Sequence, residues 1–322
     1  MSKLLLMGDL HLRMSNPRAR VGNFFEDQSG KLNWILTQAQ SHGVVGILQP
    51  GDFFHRPEQP NFLKQYYLQM LRDFGVSIFA VFGQHDTKYH SLTSAKRTAL
   101  QVFASAGLIQ ILGGSPLSPT EWLYSMSKDE PVIFLYGASW EEDIPKIEDP
   151  PKGHRGKSQI HILVTHRRLL GGKVLWSGQK EWESAERLLK RTKFDLIVSG
   201  DNHQFFHHEI DKRWLVNCGG VMRGTVALES FDHKPTIALF DTVTREVEFI
   251  RIPHVPPEVI LSRKAIEQAI ERDVKMDTFI SGLSEEYDVS LELEFRQNLI
   301  DYMRENKVED EVKAIISEVM EG

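Results

Sequence analysis

Short apolar runs punctuate the first third of the chain. Leu4-Leu5-Leu6-Met7, Val44 to Leu48, Val76 to Phe82 and Leu108 to Leu112 are each a few residues long and bounded by polar or glycine-containing segments. Runs of that length read as buried strands. Between them the period changes. Lys31 to His42 (Leu32, Ile35, Leu36, Ala39), Asn61 to Phe74 (Phe62, Tyr66, Met70, Phe74) and Thr93 to Ala106 repeat apolar positions at helical spacing. Residues 12–30, with Arg13, Arg18 and Arg20, read as a solvated basic loop. The resulting order, βαβαβαβ, implies parallel strands joined by right-handed crossovers.

Beyond Gly113 the rhythm differs. Residues 113–130 are rich in Gly, Pro and Ser around Trp122-Leu123-Tyr124, which predicts a short hairpin. Strands are predicted at Pro131 to Gly137, His161 to Thr165 and Asp195 to Ser199, with an exposed loop over 141–158 and a basic amphipathic helix over Glu181 to Arg191. Four short strands follow in antiparallel order: His207 to Ile210, Trp214 to Asn217, Thr236 to Asp241 and Glu246 to Ile252. The whole reads as α/β, with two sheets packed face to face and helices outside. Pro253, Pro256 and Pro257 mark a boundary, giving domains of 1–252 and 253–322. The second is acidic and helical, with Phe295, Leu299 and Met303 and then Val308, Val312, Ile315, Ile316 and Val319 in helical register. It reads as a small cap on the core or as a module that docks a partner.

Composition narrows the setting. The 322 residues carry 41% hydrophobic and 25% charged side chains, as in ordinary globular proteins. A single cysteine, Cys218, excludes an internal disulfide framework and suits a reducing, intracellular compartment. Only four apolar residues follow Met1-Ser2-Lys3 before Gly8, too few for a secretory signal. No apolar stretch approaches the about 18 residues that a membrane span needs. The net charge of -6 argues against a protein that coats nucleic acid, but not against an enzyme whose metal ions meet the phosphate.

The chemistry gathers at the strand tips. Gly8-Asp9-Leu10-His11 follows the first run, Gly51-Asp52-Phe53-Phe54-His55 the second and Gly83-Gln84-His85-Asp86 the third. His166 follows the His161 strand, and Gly200-Asp201-Asn202-His203 follows the Asp195 strand. Carboxyl ends of strands are where open α/β sheets hold ligands. Carboxylates, imidazoles and one amide suit Mn²⁺, Fe²⁺ or Zn²⁺. The donors outnumber the needs of one ion. Two ions about 3.5–4 Å apart, sharing a carboxylate, form a clamp for in-line displacement at phosphorus. Asp52, on the central run, is the candidate bridge. Taken singly, each residue has a plainer role: His11 as a structural histidine, Asp9 and Asp52 as caps.

The joint pattern resembles the calcineurin-like metallophosphoesterase superfamily, whose motifs are Asp-x-His, Gly-Asp, Gly-Asn-His-Asp/Glu, a lone His and Gly-His-x-His. The likeness covers about residues 1–255. It implies an αββα sandwich. Within the superfamily, Gly8 to Leu12 and Gly51 to His55 are most similar to the DNA double-strand-break repair nucleases, of which the bacterial and phage form is the SbcD-type subunit of the SbcCD exonuclease. The resemblance implies a metal-dependent DNA exonuclease and endonuclease. It assigns Asp9, His11, Asp52 and His203 to one ion and Asp52, Gln84, His166 and Asp201 to the other, with Mn²⁺ favoured and Mg²⁺, Fe²⁺ or Zn²⁺ admissible. It makes His85 the acid or phosphate-steadying group, with His55 beside it. It further implies a homodimer through Asn61 to Phe74 and Thr93 to Ala106, and an SbcC-type ATPase partner on the C-terminal helices.

The sequence departs from the family at three places. Gln84 stands for asparagine, one methylene longer. Asp201 stands for the first histidine of Gly-His-x-His, adding negative charge at the same ion. Asn217-Cys218-Gly219-Gly220 stands for Asn-Pro-Gly-Ser, and Cys218 reads as a buried filler. Arg56, Arg167, Arg168, Lys173 and Arg223 are candidate DNA-backbone contacts, since such contacts come mainly from basic side chains. Asp86 reads as a support for His85 or a turn cap. Two other readings share the motifs: a phosphatase or cyclic-nucleotide phosphodiesterase of the same superfamily, and a scaffold that has lost its second ion.

Overall fold

Alternation along the first strand sets the layers. In β1 (Lys3–Leu6), Leu4 and Leu6 enter one apolar cluster while Leu5, with Met7 just beyond, enters another. A strand whose successive side chains point to opposite faces needs apolar residues at every position when both faces are covered. The computed structural model describes residues 2–113, 120–123, 131–147, 158–172, 182–225 and 231–262, with single positions at 264, 267 and 271. The chain divides after residue 266 into two units, residues 1–266 and 267–322.

Helices cover the outer face of the first sheet. Leu5, Ile47, Ile78 and Ile237 pack on α1 (Phe24–Ser41), α2 (Asn61–Phe74) and α3 (Ala99–Ser105) through Leu32, Ile35, Leu63, Tyr67, Leu100 and Phe103. The parallel set is β1, β2 (Gly46–Gln49), β3 (Ile78–Ala80) and β4 (Ile109–Ile111). The second sheet contains β5 (Thr120–Leu123), β6 (Val132–Ala138) and β7 (Gln159–Thr165). A small parallel pair, β8 (Leu169–Leu170) and β9 (Glu183–Ser184), leads into α4 (Ala185–Arg191). Then come β10 (Leu196–Ser199), β11 (Phe206–Ile210), β12 (Arg213–Asn217), β13 (Thr236–Asp241) and β14 (Val247–Arg251). The sheets have six strands each, in the orders β14-β13-β1-β2-β3-β4 and β11-β12-β10-β7-β6-β5. Leu4, Leu6, Leu48 and Phe240 meet Leu135, Ile162, Val164, Val198 and Val216 between the sheets. Phe134, Tyr136, Leu163 and Ile197 turn outward onto Ala185, Leu188 and Leu189 of α4. The layers are therefore α, β, β and α, as the resemblance implies.

Three helices start elsewhere than the sequence reading places them, each for a local reason. α1 starts at Phe24, inside the expected loop, because Asn23 caps it by accepting the Glu26 N–H at 3.3 Å. Its first turns bury Phe24, Gln28 and Ser29, so the helical stripe there is partly polar. The predicted helix over 93–106 is split: Leu92–Arg97 is a 3₁₀ stretch, and Thr98 caps α3 by accepting from Gln101 N–H. α4 begins only at Ala185, since Glu183–Ser184 pairs with β8. Residues 253–262 run along this unit. Val21 N–H donates to Ile260 O, Ser262 N–H to Ala19 O and Arg223 to Val255 O. The apolar positions from Phe295 to Val319 lie outside the described residues.

Glycine at the strand tips permits close approach. A Cβ on Gly83 would overlap the Oδ1 and backbone nitrogen of Asp52. One on Gly200 would sit 2.6 Å from Asp9 Oδ1 and 2.8 Å from His166 Nδ1. Gly83→Ala should therefore destabilise the fold by about 2 kcal/mol or more, since overpacking a rigid site forces backbone shifts. Thermal unfolding checks this, and a melting temperature equal to wild type would contradict the contact.

Candidate metal centre

Strand-end loops converge on a cleft of about 330 Å³ lined by Asp9, His11, His55, His85, Asp201 and His203, with Asp52 and His166 grouped against Asp9. The β1 tip supplies Asp9 and His11, and the β2 tip supplies Asp52 and His55. The β3 tip supplies Gln84 and His85. The β7 and β10 tips supply His166, Asp201 and His203. His11, Asp52 and Asp201 all have positive φ, at 48°, 52° and 70°. Such conformations cost non-glycine residues energy and persist where surrounding contacts over-determine them. Leu10, His11 and Leu12 donate backbone N–H bonds to the carbonyls of Asp52 and Phe53, which lock the first two tips together.

The third tip is tied in by Asp86. Its carboxylate accepts from Phe53 N–H at 3.2 Å, Phe54 N–H at 2.9 Å and Gly83 N–H at 3.0 Å. Of the two roles open to Asp86, turn support is the one the bonds describe, and it spans two loops. Burial and the neighbouring Asp52 push its carboxyl up to about 7, against the pull of the Phe54 and Gly83 N–H groups. Asp52 Oδ1 accepts the His85 N–H at 2.9 Å, so Asp86 and Asp52 together hold the turn that carries His85.

The donor atoms then fall into three groups, each with its atoms within 4.8 Å of one another: Asp9, His11 and His203; Asp9, Asp52 and His166; and His11, His55 and His85. His166 Nε2 lies 3.4 Å and His11 Nε2 lies 3.5 Å from Asp52 Oδ2. His203 Nε2 lies 3.4 Å from Asp9 Oδ2 and 3.0 Å from His11 Nε2. His166 is oriented by Pro50 O, 2.6 Å from Nδ1, which leaves Nε2 turned to the carboxylates.

These atoms are suited to a cation. Asp52 Oδ2, Gln84 Oε1 and His166 Nε2 are buried without a hydrogen-bond partner. Unsatisfied polar atoms are costly inside a protein, and a ligated ion would satisfy them. Burial, with His203 and His85 alongside, holds the His11 imidazole well below its usual range and therefore neutral, as a metal ligand must be. Burial opposes charge on His166, yet Asp52, Asp9 and Asp201 raise it to about 10. Burial would raise Asp52, but His166 and His11 reverse this and lower it. Asp9, His11, Asp52, His166 and His203 could hold divalent metal, which supplies charge neutralisation at phosphate oxygens and activation of water.

Asp201 fits this set less well. Its Oδ1 accepts from Gln84 Nε2 at 2.7 Å and lies 3.9 Å from His166 Nε2, while its Oδ2 accepts from Arg168 Nε at 2.9 Å. Gln84 accordingly presents its amide nitrogen to Asp201, and its oxygen is one of the unpartnered atoms.

The outer residues sort clearly. His85 stacks on His55, with ring centroids 5.5 Å apart, and its Nδ1 lies 3.2 Å from His55 O. His55 Nε2 meets Arg13 Nη1 at 2.9 Å. Burial and then Arg13 lower the His55 imidazole to about 4. The sequence reading leaves Arg13 among the loop cations; its position two residues beyond His11 is the signal that could have found it. Arg56 is exposed, and its charge also acts on His55. Arg167 pairs with Glu183 at 3.4 Å. Arg223 is 4% exposed and donates to His233 O and Val255 O, which makes it a loop brace at the cleft wall. Lys173 lies outside the described residues. Cys218 donates to Leu6 O, and burial pushes its thiol up to about 12, so it is a filler.

Ligation predicts a stability response. Mn²⁺ at about a hundredfold excess over its Kd should raise the unfolding free energy by about 2.7 kcal/mol. Asp52→Asn should remove most of that rise in a denaturant titration with and without the ion. A rise that survives the substitution would remove Asp52 from the ligand set.

The chain is also similar to known proteins. It is 24% identical over 239 residues to the DNA double-strand break repair protein Mre11 of Haloferax volcanii, covering 70% of this chain and 47% of that protein. The chain thus spans about half the length of that relative. Among solved structures, TT1561 of Thermus thermophilus is 12% identical over 78% of this chain and 99% of its own, with a TM-score of 0.46. An archaeal phosphodiesterase is 16% identical over 77% and 99%, with a TM-score of 0.39. A family profile described as calcineurin-like phosphoesterase matches residues 2–205, well over half of the chain. With that match laid over the strand-tip donors, the chain belongs to the calcineurin-like phosphoesterase family, whose members hydrolyse phosphoesters with divalent metal ions.

Proposed function

We propose that this phosphoesterase is a DNA nuclease, the SbcD-type subunit of an intracellular repair complex. The observation that carries the reading is the His55 and His85 stack beside the donor set, with Arg13 bonded to His55. His55 stands three residues beyond Asp52, the spacing by which the motif resembles the repair nucleases. The similarity to Mre11, over 70% of this chain, supports the same substrate class.

In this reading Asp9, His11, Asp52 and His203 would hold one ion, and Asp52, His166, Gln84 and Asp201 would border the second. Mn²⁺ is the favoured metal. Water adds to phosphorus as the bond to the leaving oxygen breaks in line, and His85 gives that oxygen its proton. The backbone bond to Asp52 and the contact with His55 O hold His85 in position for this. Arg13 and Arg56 add positive charge on the side of His55. Residues 253–322 form the partner-docking module for an SbcC-type ATPase, and α2 and α3 carry a homodimer interface. No helix among the described residues is long and apolar enough to cross a membrane.

A scaffold with a weakened second ion is the second reading, favoured by the engagement of Asp201 with Arg168 and Gln84. One assay separates the readings. Purified protein with Mn²⁺ is given linear duplex DNA, circular single-stranded DNA and an aryl phosphate. The nuclease cleaves DNA; release from the aryl phosphate alone indicates a phosphatase, and inactivity on all three the scaffold. His85→Ala should lower DNA cleavage by about 100-fold or more, the usual scale of a positioned acid, and leave bound Mn²⁺ unchanged. Loss of metal in that variant would contradict its assigned role.

A further inference from the structure

Asp201 is the carboxylate among the expected donors that does not join the metal groups, and its surroundings suggest another task. Both of its oxygens are engaged, Oδ1 by the Gln84 amide at 2.7 Å and Oδ2 by Arg168 Nε at 2.9 Å. Its carboxylate is 2% exposed, whereas the Arg168 side chain is 44% exposed. The carboxylate thus anchors a guanidinium that reaches out of the site.

Aromatic rings fix that guanidinium from two further directions. Its Cζ lies 5.5 Å from the Trp140 ring centroid and 4.9 Å from that of Trp182. Trp140 follows β6, and its ring also meets His166 at 6.3 Å. Trp182 lines the same cleft as Asp9, His11 and His203. The β8–β9 pair puts Leu169 opposite Glu183, which sets the preceding residues, Arg168 and Trp182, side by side. Arg168 is therefore held at one edge by a carboxylate and against two indoles, beside the donor set. Its Nη1 and Nη2 make no hydrogen bond among the described residues.

A guanidinium offers five N–H donors in a planar fork that matches anionic oxygens, and one restrained beforehand loses little freedom on binding. The adjacent basic candidate differs: Arg167 is turned to Glu183. We propose that Arg168 binds a phosphodiester oxygen of the substrate at the cleft rim, and that Asp201 is its positioning residue rather than a ligand of the second metal ion. This deepens the proposed function and rests on it for the substrate class. It also explains the paired departures at Gln84 and Asp201: the amide nitrogen caps the carboxylate that aims the arginine.

The test uses the full chain with Mn²⁺, linear duplex DNA and a bis-aryl phosphodiester. Arg168→Ala should raise KM for both substrates by about tenfold, the scale of one charge-assisted hydrogen bond, with a smaller fall in kcat. It should also reduce the slope of log affinity for DNA against log salt by about one. Arg168→Lys should recover part of the KM. Asp201→Asn should raise KM less, and adding it to Arg168→Ala should change KM little further. Bound Mn²⁺ per chain, measured by elemental analysis, should be the same in wild type and both single variants. Loss of one ion in Asp201→Asn would overturn the positioning role, and an unchanged KM in Arg168→Ala would overturn the phosphate contact. If no form cleaves DNA but Arg168→Ala still raises KM for the diester, the nuclease reading falls and the Arg168 assignment stands.

Discussion

Two carboxylates, Asp9 and Asp52, sit side by side, both almost fully buried. Like charges cannot remain close in a low-dielectric interior without compensation. Imidazoles at His11, His166 and His203 stand around them, with His166 raised to about 10 by the carboxylates it faces. A divalent cation offers the same compensation with more charge. The unpartnered atoms of Asp52, Gln84 and His166 mark where such a cation would bind. The rest of the architecture serves to hold these groups closer than their charges would allow.

The means are backbone approach and a second, deeper carboxylate. Gly51, Gly83 and Gly200 lie where a donor from another strand packs against the bare Cα, so the tips of two sheets converge. Asp86, fully buried, ties the β2 and β3 loops through three N–H bonds. The positive φ of His11, Asp52 and Asp201 is strain carried by this convergence. A sandwich with apolar clusters on both faces of each sheet is rigid enough to sustain it, because each central strand is anchored on both sides.

On the Asp201 side both carboxylate oxygens are engaged by protein groups. A carboxylate in place of an imidazole would add uncompensated charge, and Arg168 supplies the opposite sign at 2.9 Å. Trp140 and Trp182 then hold the guanidinium, and Gln84 occupies the remaining oxygen. These five residues form one unit drawn from the ends of β3, β6, β7 and β10 and the start of β9.

The order of the longer strands and helices was legible from period alone, because short apolar runs buried on both faces leave little alternative, whereas the two-residue strands β8 and β9 were not. The strand-tip positions of Asp9, His11, Asp52, Gln84, His85, His166, Asp201 and His203 were legible too, since glycine and polar donors recur after the runs. The helical start at Phe24 was not, as it depends on the Asn23 cap and on buried Gln28 and Ser29. Nor was the bond of Arg13 to His55, made across two loops far apart in the chain. Which partner a polar group takes is decided by distance in space, and a sequence orders polar groups without their distances. So the residues themselves determined the main strands and the tips at which these polar side chains gather. Only the tertiary structure decided that Asp201 turns to Arg168, that Asp86 ties two loops and that Arg223 braces a wall, because each of those bonds joins segments that folding alone brings within reach.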